Sequence, residues 1–149
     1  MSKDRYRKGS HTLLELKYHY VWKVKYGYNV LNGDLGIRTR EVLREICIEK
    51  GINIIKGNVR SNHIHMMVEL PSHMSVAKAA QYMKGKSSYR LQREFKDLRK
   101  RFWGRSLWGR GYFCSTVGAV TEKIIKKYIE EQKDVPEGFK VWDEKDSLE

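Results

Sequence analysis

Between Leu16 and Tyr26 the side chains change character at every step. Leu16, Tyr18, Tyr20, Trp22, Val24 and Tyr26 alternate with Lys17, His19, Val21, Lys23 and Lys25. Side chains that repeat every second residue lie on one face of a strand, so this segment reads as a half-buried strand. The same period returns from His63 to Leu70, which stops at Pro71, a residue that cannot continue a ladder. Ile52 to Val59 reads as a third strand, joined to His63–Leu70 by a turn near Ser61 and Asn62.

Helical spacing fills the gaps. Asn29 to Gly36 carries Asn-Gly and further glycines and reads as a loop. Val42, Leu43, Ile46 and Cys47 place a helix over 39–50, with Gly51 as its C-terminal stop. Ser75 suits an N-cap for a second helix to about Phe95, with Val76, Ala79, Ala80 and Met83 on one stripe. Residues 96–106 read as a basic linker, and Leu107 to Thr116 as a strand broken by Gly109 and Gly111. A last helix is expected from a Thr121 cap to Gln132, ending before Pro136.

The order β-α-β-β-α-β-α gives an α+β chain whose first six elements match the split βαβ, ferredoxin-like pattern also used by RNA-recognition modules. That pattern is an antiparallel sheet with helices on one face. The C-terminal helix is an addition able to cover part of the other. With 149 residues, one domain over 1–149 is expected, with 1–11 and 137–149 flexible or peripheral and Phe139, Val141 and Trp142 available to dock.

Composition narrows the function classes. Thirty Lys and Arg against eighteen Asp and Glu leave a net charge of +12. Such an excess opposes compaction and points to a polyanionic partner. No apolar run approaches the ~18 residues of a membrane span, and the N-terminus lacks a secretory apolar region. A cytoplasmic, nucleoid-associated protein is the expectation. Cys47 and Cys114 form no C-x-x-C pair and read as two thiols.

Three features carry chemistry. His63 and His65 stand two apart on a strand, so both rings face the open side while Ile64, Met66, Val68 and Leu70 face the core. Adjacent imidazoles can hold a divalent cation; alone, the pair reads better as two surface histidines beside a basic partner, and the alternation that sets both rings clear of the core raises the odds of a metal pair. On the last helix Ile124, Tyr128 and Gln132 share a face. A tyrosine in that setting is often core, yet an amide on an inner stripe needs a hydrogen bond or a metal. Finally, residues 84–110 carry a net +8, two-thirds of the total, interleaved with Tyr89, Phe95, Phe102, Trp103 and Trp108. Basic residues bind phosphates and aromatic faces can stack bases, so Lys84, Lys86, Arg90, Arg93 and Arg110 are candidate DNA contacts.

Taken in order, these pieces resemble a known family. Asn62-His63-Ile64-His65-Met66-Met67-Val68, Lys84-Gly85-Lys86-Ser87-Ser88, Leu107-Trp108-Gly109-Arg110-Gly111-Tyr112-Phe113 and Lys127-Tyr128-Ile129-Glu130-Glu131-Gln132 are similar to the single-tyrosine HUH transposases of the IS200/IS605 group. The resemblance runs from Leu13 to Gln132. It implies that His63, His65 and Gln132 ligate Mg²⁺ or Mn²⁺ and that Tyr128 is the nucleophile. It further implies a homodimer that cleaves and rejoins single-stranded DNA at transposon-end hairpins through a 5′-phosphotyrosine. Asn62 departs from the Asp common in that position. A related HUH nickase, serving replication or repeat processing, and a non-catalytic ferredoxin-like nucleic-acid-binding module are the alternatives.

Overall fold

The computed structural model describes residues 7–8, 13–14, 16–118, 123–124, 126–127, 129–130 and 141–143. A short hairpin, β1 (Arg7–Lys8) and β2 (Leu13–Leu14), precedes the main sheet. That sheet contains β3 (Lys17–Lys23), β4 (Asn53–Val59), β5 (His63–Glu69), β6 (Phe113–Thr116) and β7 (Val141–Asp143), in the order β6-β3-β5-β4-β7, every neighbour antiparallel. The first four of these strands reproduce the expected ferredoxin-like order.

The helices are α1 (Gly33–Lys50), α2 (Val76–Gln81), α3 (Ser87–Glu94) and α4 (Lys96–Arg101), with a π-helical turn, Tyr82–Lys86, joining α2 to α3. Ser75 accepts from the Lys78 amide at 3.0 Å, so the expected N-cap is in place. Gly51, at φ 74°, closes α1 by donating to Cys47 and Ile48. Only a residue that tolerates the left-handed region ends a helix this way cheaply.

The core lies between the helices and one face of the sheet. Tyr20, Trp22, Ile64, Met66 and Val68 meet Val42, Leu43 and Ile46 of α1, Ala79 and Ala80 of α2, and Met83 and Leu91 that follow, all at most 2% exposed. On the opposite face stand His19, His63, His65, Met67, Asn58 and Lys56, matched in register across β3, β5 and β4. The described C-terminal helical positions sit here. Asn58 Nδ2 donates to the Ile129 carbonyl at 3.3 Å, Lys56 pairs with Glu130 at 2.6 Å, and Ile129 is fully buried.

Three expectations are corrected. The helix expected at 39 begins at Gly33, because Gly36 and Thr39 are buried and Thr39 Oγ1 ties back to the Leu35 carbonyl at 2.7 Å; tertiary packing outweighs the weak helical preference of the glycines. The supposed linker contains α4, anchored one turn apart by buried Leu98 and Phe102. The broken strand keeps only Phe113–Thr116, since Gly111 at φ 76° turns the chain first, while Trp108 makes an isolated bridge to Val24. Near the C-terminus, Val141–Asp143 pairs with Asn58, Gly57 and Lys56 and covers the β4 edge. Both cysteines are free thiols.

Candidate active site

Strand β5 is flanked by β3 and β4, which fixes the direction of both its histidines. His65 lies opposite Val21 and Asn58, and His63 opposite Lys23. The two Nε2 atoms approach to 3.0 Å, with the rings crossed at 69°. Each Nδ1 has its own partner. His63 Nδ1 lies 2.7 Å from Asn62 Oδ1, an acceptor, so Nδ1 carries the proton and Nε2 keeps its lone pair. His65 Nδ1 lies 3.4 Å from His19 Nε2, and the two rings stack at 5.6 Å and 15°. Phe113 sets its edge against His19 at 6.1 Å.

This surrounding disfavours positive charge. Burial lowers the pKa of His63, with Arg60 and Lys23 adding to it. Burial, then His63, His19 and Arg60, push His65 down to about 3. Burial also lowers His19. At neutral pH the three rings are uncharged, the form in which imidazole is a ligand.

The donor set fits a divalent cation. Two ligand atoms at right angles, each ~2.1 Å from a six-coordinate ion, are about 3.0 Å apart, the separation found between the two Nε2 atoms. Among the described residues no group of three His, Cys, Asp or Glu is placed to hold a metal. Tyr128 and Gln132, expected as nucleophile and third ligand, lie outside the described residues.

The IS200-like transposase family model matches residues 12–132. The chain belongs to that family. This transposase is 39% identical over 127 residues to the transposase for insertion sequence element IS200 of Salmonella typhimurium, covering 83% of this chain and 84% of that one. It is 31% identical over 128 residues to the ISDra2 transposase TnpA of Deinococcus radiodurans, covering 86% and 91%. Among solved structures, a candidate transposase from Deinococcus radiodurans superposes with a TM-score of 0.70 at 28% identity, covering 85% of this chain and 97% of that one. A REP-associated tyrosine transposase bound to a REP hairpin shares the fold at TM-score 0.61 and 13% identity, over 87% and 71%.

The basic segment of the transposase divides into several kinds of surface. Lys84 donates its ammonium to the carbonyls of Gly109 and Gly111, at 3.0 and 2.5 Å. Arg90 pairs with Glu45 at 2.5 Å, and Lys86 approaches Glu49 at 3.6 Å. Arg93 donates to the Tyr89 hydroxyl at 2.9 Å and stacks over that ring. Arg110 is exposed on the loop before β6. Arg90 and Arg93 belong to α3, which packs in the helical layer on the other side of the sheet from the imidazole pair.

Sequence reasoning gave His19 no role. The signal was present, since pairing Tyr20 with Met66 places His19 and His65 in adjacent rows on one face. It required knowing the register, which alternation alone does not fix. At Asn62 the departure from Asp leaves the orienting oxygen in place and removes its charge.

Proposed function

We propose that this transposase cleaves and rejoins single-stranded DNA through a 5′-phosphotyrosine intermediate, with Tyr128 as nucleophile and His63, His65 and Gln132 as ligands of Mg²⁺ or Mn²⁺. The observation that carries this reading is the convergence of two uncharged imidazole nitrogens, 3.0 Å apart, on the open sheet face. A cation held there supplies charge withdrawal at the scissile phosphate and a fixed orientation for it. The protein side is work done in advance. Asn62 and His19 meet the two rings at their Nδ1 atoms, and burial disfavours the charged imidazolium of each.

The Tyr128 phenol attacks phosphorus in line. A new oxygen–phosphorus bond forms, the bond to the 3′ oxygen breaks, the phenol gives up its proton, and the departing oxygen takes one. Phenol, with an ordinary pKa near 10, needs a nearby positive charge to react. Attack by a 3′-hydroxyl on the phosphotyrosine then reverses the exchange. One phosphodiester-type bond replaces another at each step, so no nucleoside triphosphate is required.

The two residues that follow Tyr128 in the sequence are described and meet this face. Ile129 and Glu130 are held over β4 through Asn58 and Lys56. Hairpins at transposon ends are the proposed DNA, in keeping with the REP hairpin bound by the structural neighbour. A homodimer belongs to the same reading: Ile124, four residues before Tyr128, is 64% exposed, an apolar surface a second copy would cover.

The test uses an end-labelled single strand containing the element's end, with Mn²⁺. Wild-type protein is expected to give a denaturation-resistant protein–DNA band, and Tyr128→Phe none. A band of equal intensity from Tyr128→Phe would remove Tyr128 as the nucleophile.

A further inference from the structure

Strand β4 changes face part-way along. Ile54 lies in the core and pairs with Val68. In an unbroken strand every second side chain shares a face, so Lys56 and Asn58 would follow Ile54 toward the helices. The register shifts between Ile54 and Lys56, where Ile55 is the extra residue of a β-bulge. Beyond it the parity is reversed. Gly57 and Val59 stand opposite Met66 and Ile64 of the core, while Lys56 and Asn58 stand opposite Met67 and His65 on the open face.

The bulge does not deliver these two polar side chains to water. Asn58 is 0% exposed and the Lys56 side chain 12%. Both meet the same short stretch of chain. Asn58 Nδ2 donates to the Ile129 carbonyl at 3.3 Å, and the Lys56 ammonium pairs with Glu130 at 2.6 Å. Two consecutive residues, immediately after Tyr128 in the chain, are thus gripped from two positions of β4.

Asn58 is a poor choice for stability alone. Its Oδ1 is buried and has no hydrogen-bond partner among the described residues. Turning the amide over would not help, because Oδ1 would then face the Ile129 carbonyl, and two acceptors cannot bond. An amide buried with one end unsatisfied is costly, and an apolar side chain of similar size avoids that cost. Polar groups kept under such conditions are found where function sets the residue. The contact that remains is directional: one N–H aimed at one carbonyl, from the strand position opposite His65.

We infer that Asn58 and Lys56 are positioning residues for the nucleophile: the β4 bulge turns them onto the site face, where they fix the segment carrying Tyr128 relative to His63 and His65. This rests on the phosphotyrosine reading above and adds to it the side chains that hold the phenol's carrier in place. Asn58 holds the backbone at 129 and Lys56 the side chain at 130, so adjacent residues are restrained in two different ways. In-line attack tolerates little error, since a displacement of about 1 Å can cost on the order of a hundredfold in rate.

The experiment uses the full chain and three readouts: amide hydrogen exchange over 123–132, the single-turnover rate of adduct formation with Mn²⁺ on a labelled element end, and Mn²⁺ affinity by calorimetry. In Asn58→Leu, exchange over 123–132 is expected to quicken about tenfold while α1 and β5 keep their protection. Adduct formation should slow about ten- to hundredfold. Mn²⁺ affinity should stay within about twofold of wild type, and the melting midpoint should be unchanged or raised. Lys56→Glu is expected to loosen the segment and slow the reaction in the same way. Lys56→Glu with Glu130→Lys should recover most of the rate, a rescue that a merely structural loss would not show. Unchanged exchange in Asn58→Leu, an unchanged rate, or a rate that falls only in step with Mn²⁺ affinity would overturn the inference. So would a charge swap that leaves the rate as low as Lys56→Glu alone. Should wild-type protein form no adduct, the phosphotyrosine reading fails, and the exchange comparison still decides whether β4 holds this segment.

Discussion

Replacing Lys84 with Met tests whether a cation in the basic segment serves DNA or the fold. Its ammonium bonds the Gly109 carbonyl at 3.0 Å and the Gly111 carbonyl at 2.5 Å, and burial lowers its pKa from the ordinary lysine value. Those carbonyls belong to the segment entering β6, where Gly109 N–H is already tied to Lys23 at 2.8 Å. Hydrogen bonds from a charged donor contribute ~1.5–3 kcal/mol each when buried. Lys84 is only partly buried, and water can replace some of the bonding that the substitution removes, so about 1–3 kcal/mol for the pair is the working figure. Methionine keeps the apolar stem and removes the donor. For a chain of this length, each kcal/mol moves the melting midpoint by about 2–4 °C, giving a fall of roughly 2–12 °C. Thermal and urea melts of Lys84→Met measure this, alongside the salt dependence of single-strand binding. Stability should fall while the salt slope stays put. An unchanged melt with a slope reduced by about 0.7, the value for one phosphate, would refute the structural assignment.

Ser87 is fully buried and accepts from Trp108 Nε1 at 2.8 Å; Ser87→Ala should cost about 1–3 kcal/mol in urea melts by leaving that indole N–H unpaired. His19→Phe keeps a ring under His65 and removes the ring nitrogen that faces its Nδ1. Mn²⁺ affinity by calorimetry should fall about tenfold, and an unaltered affinity would deny His19 an orienting role. Hydrogen bonding from Arg38 holds the Glu94 carboxyl below its usual range, and Arg90, with Arg38, does so for Glu45. The unfolded chain then takes up these protons first as pH falls. The stability they contribute is complete above about pH 4.5 and is lost on further acidification through the folded-state values. In urea melts against pH, Arg38→Gln should flatten that acid limb; an identical limb would show the network contributes nothing.

What the sequence disclosed and what it hid follow from the range of the forces involved. Period-two alternation over β3 and β5 is a local signal, and it placed His63 and His65 on the open face. The Ser75 cap and the Gly51 stop are local too, and both are found. The early start of α1 was hidden because it depends on Gly36 and Thr39 being buried by distant chain. Leu98 and Phe102, at helical spacing inside a run of charges, mark α4, but the charges dominated the composition of that stretch. Short α4 has little helical stability of its own and is held by those two buried side chains. At the site, two histidines were legible and their supports were not. The contact between His19 and His65 spans 46 positions and depends on register. The basic residues were visible as charge alone, which says nothing of partners; Glu45, Glu49 and two carbonyls claim Arg90, Lys86 and Lys84.

The central claim is that His63, His65 and Tyr128 act as one metal-dependent centre on a DNA strand. Intact-mass spectrometry after incubation with a single-stranded element end tests it most directly. The account predicts a mass increase equal to the 5′-phosphorylated downstream fragment less one water, mapped to Tyr128, dependent on Mn²⁺ or Mg²⁺ and abolished in His63→Ala with His65→Ala. An adduct that forms undiminished in that double variant or in EDTA, or that maps to another residue, would contradict it.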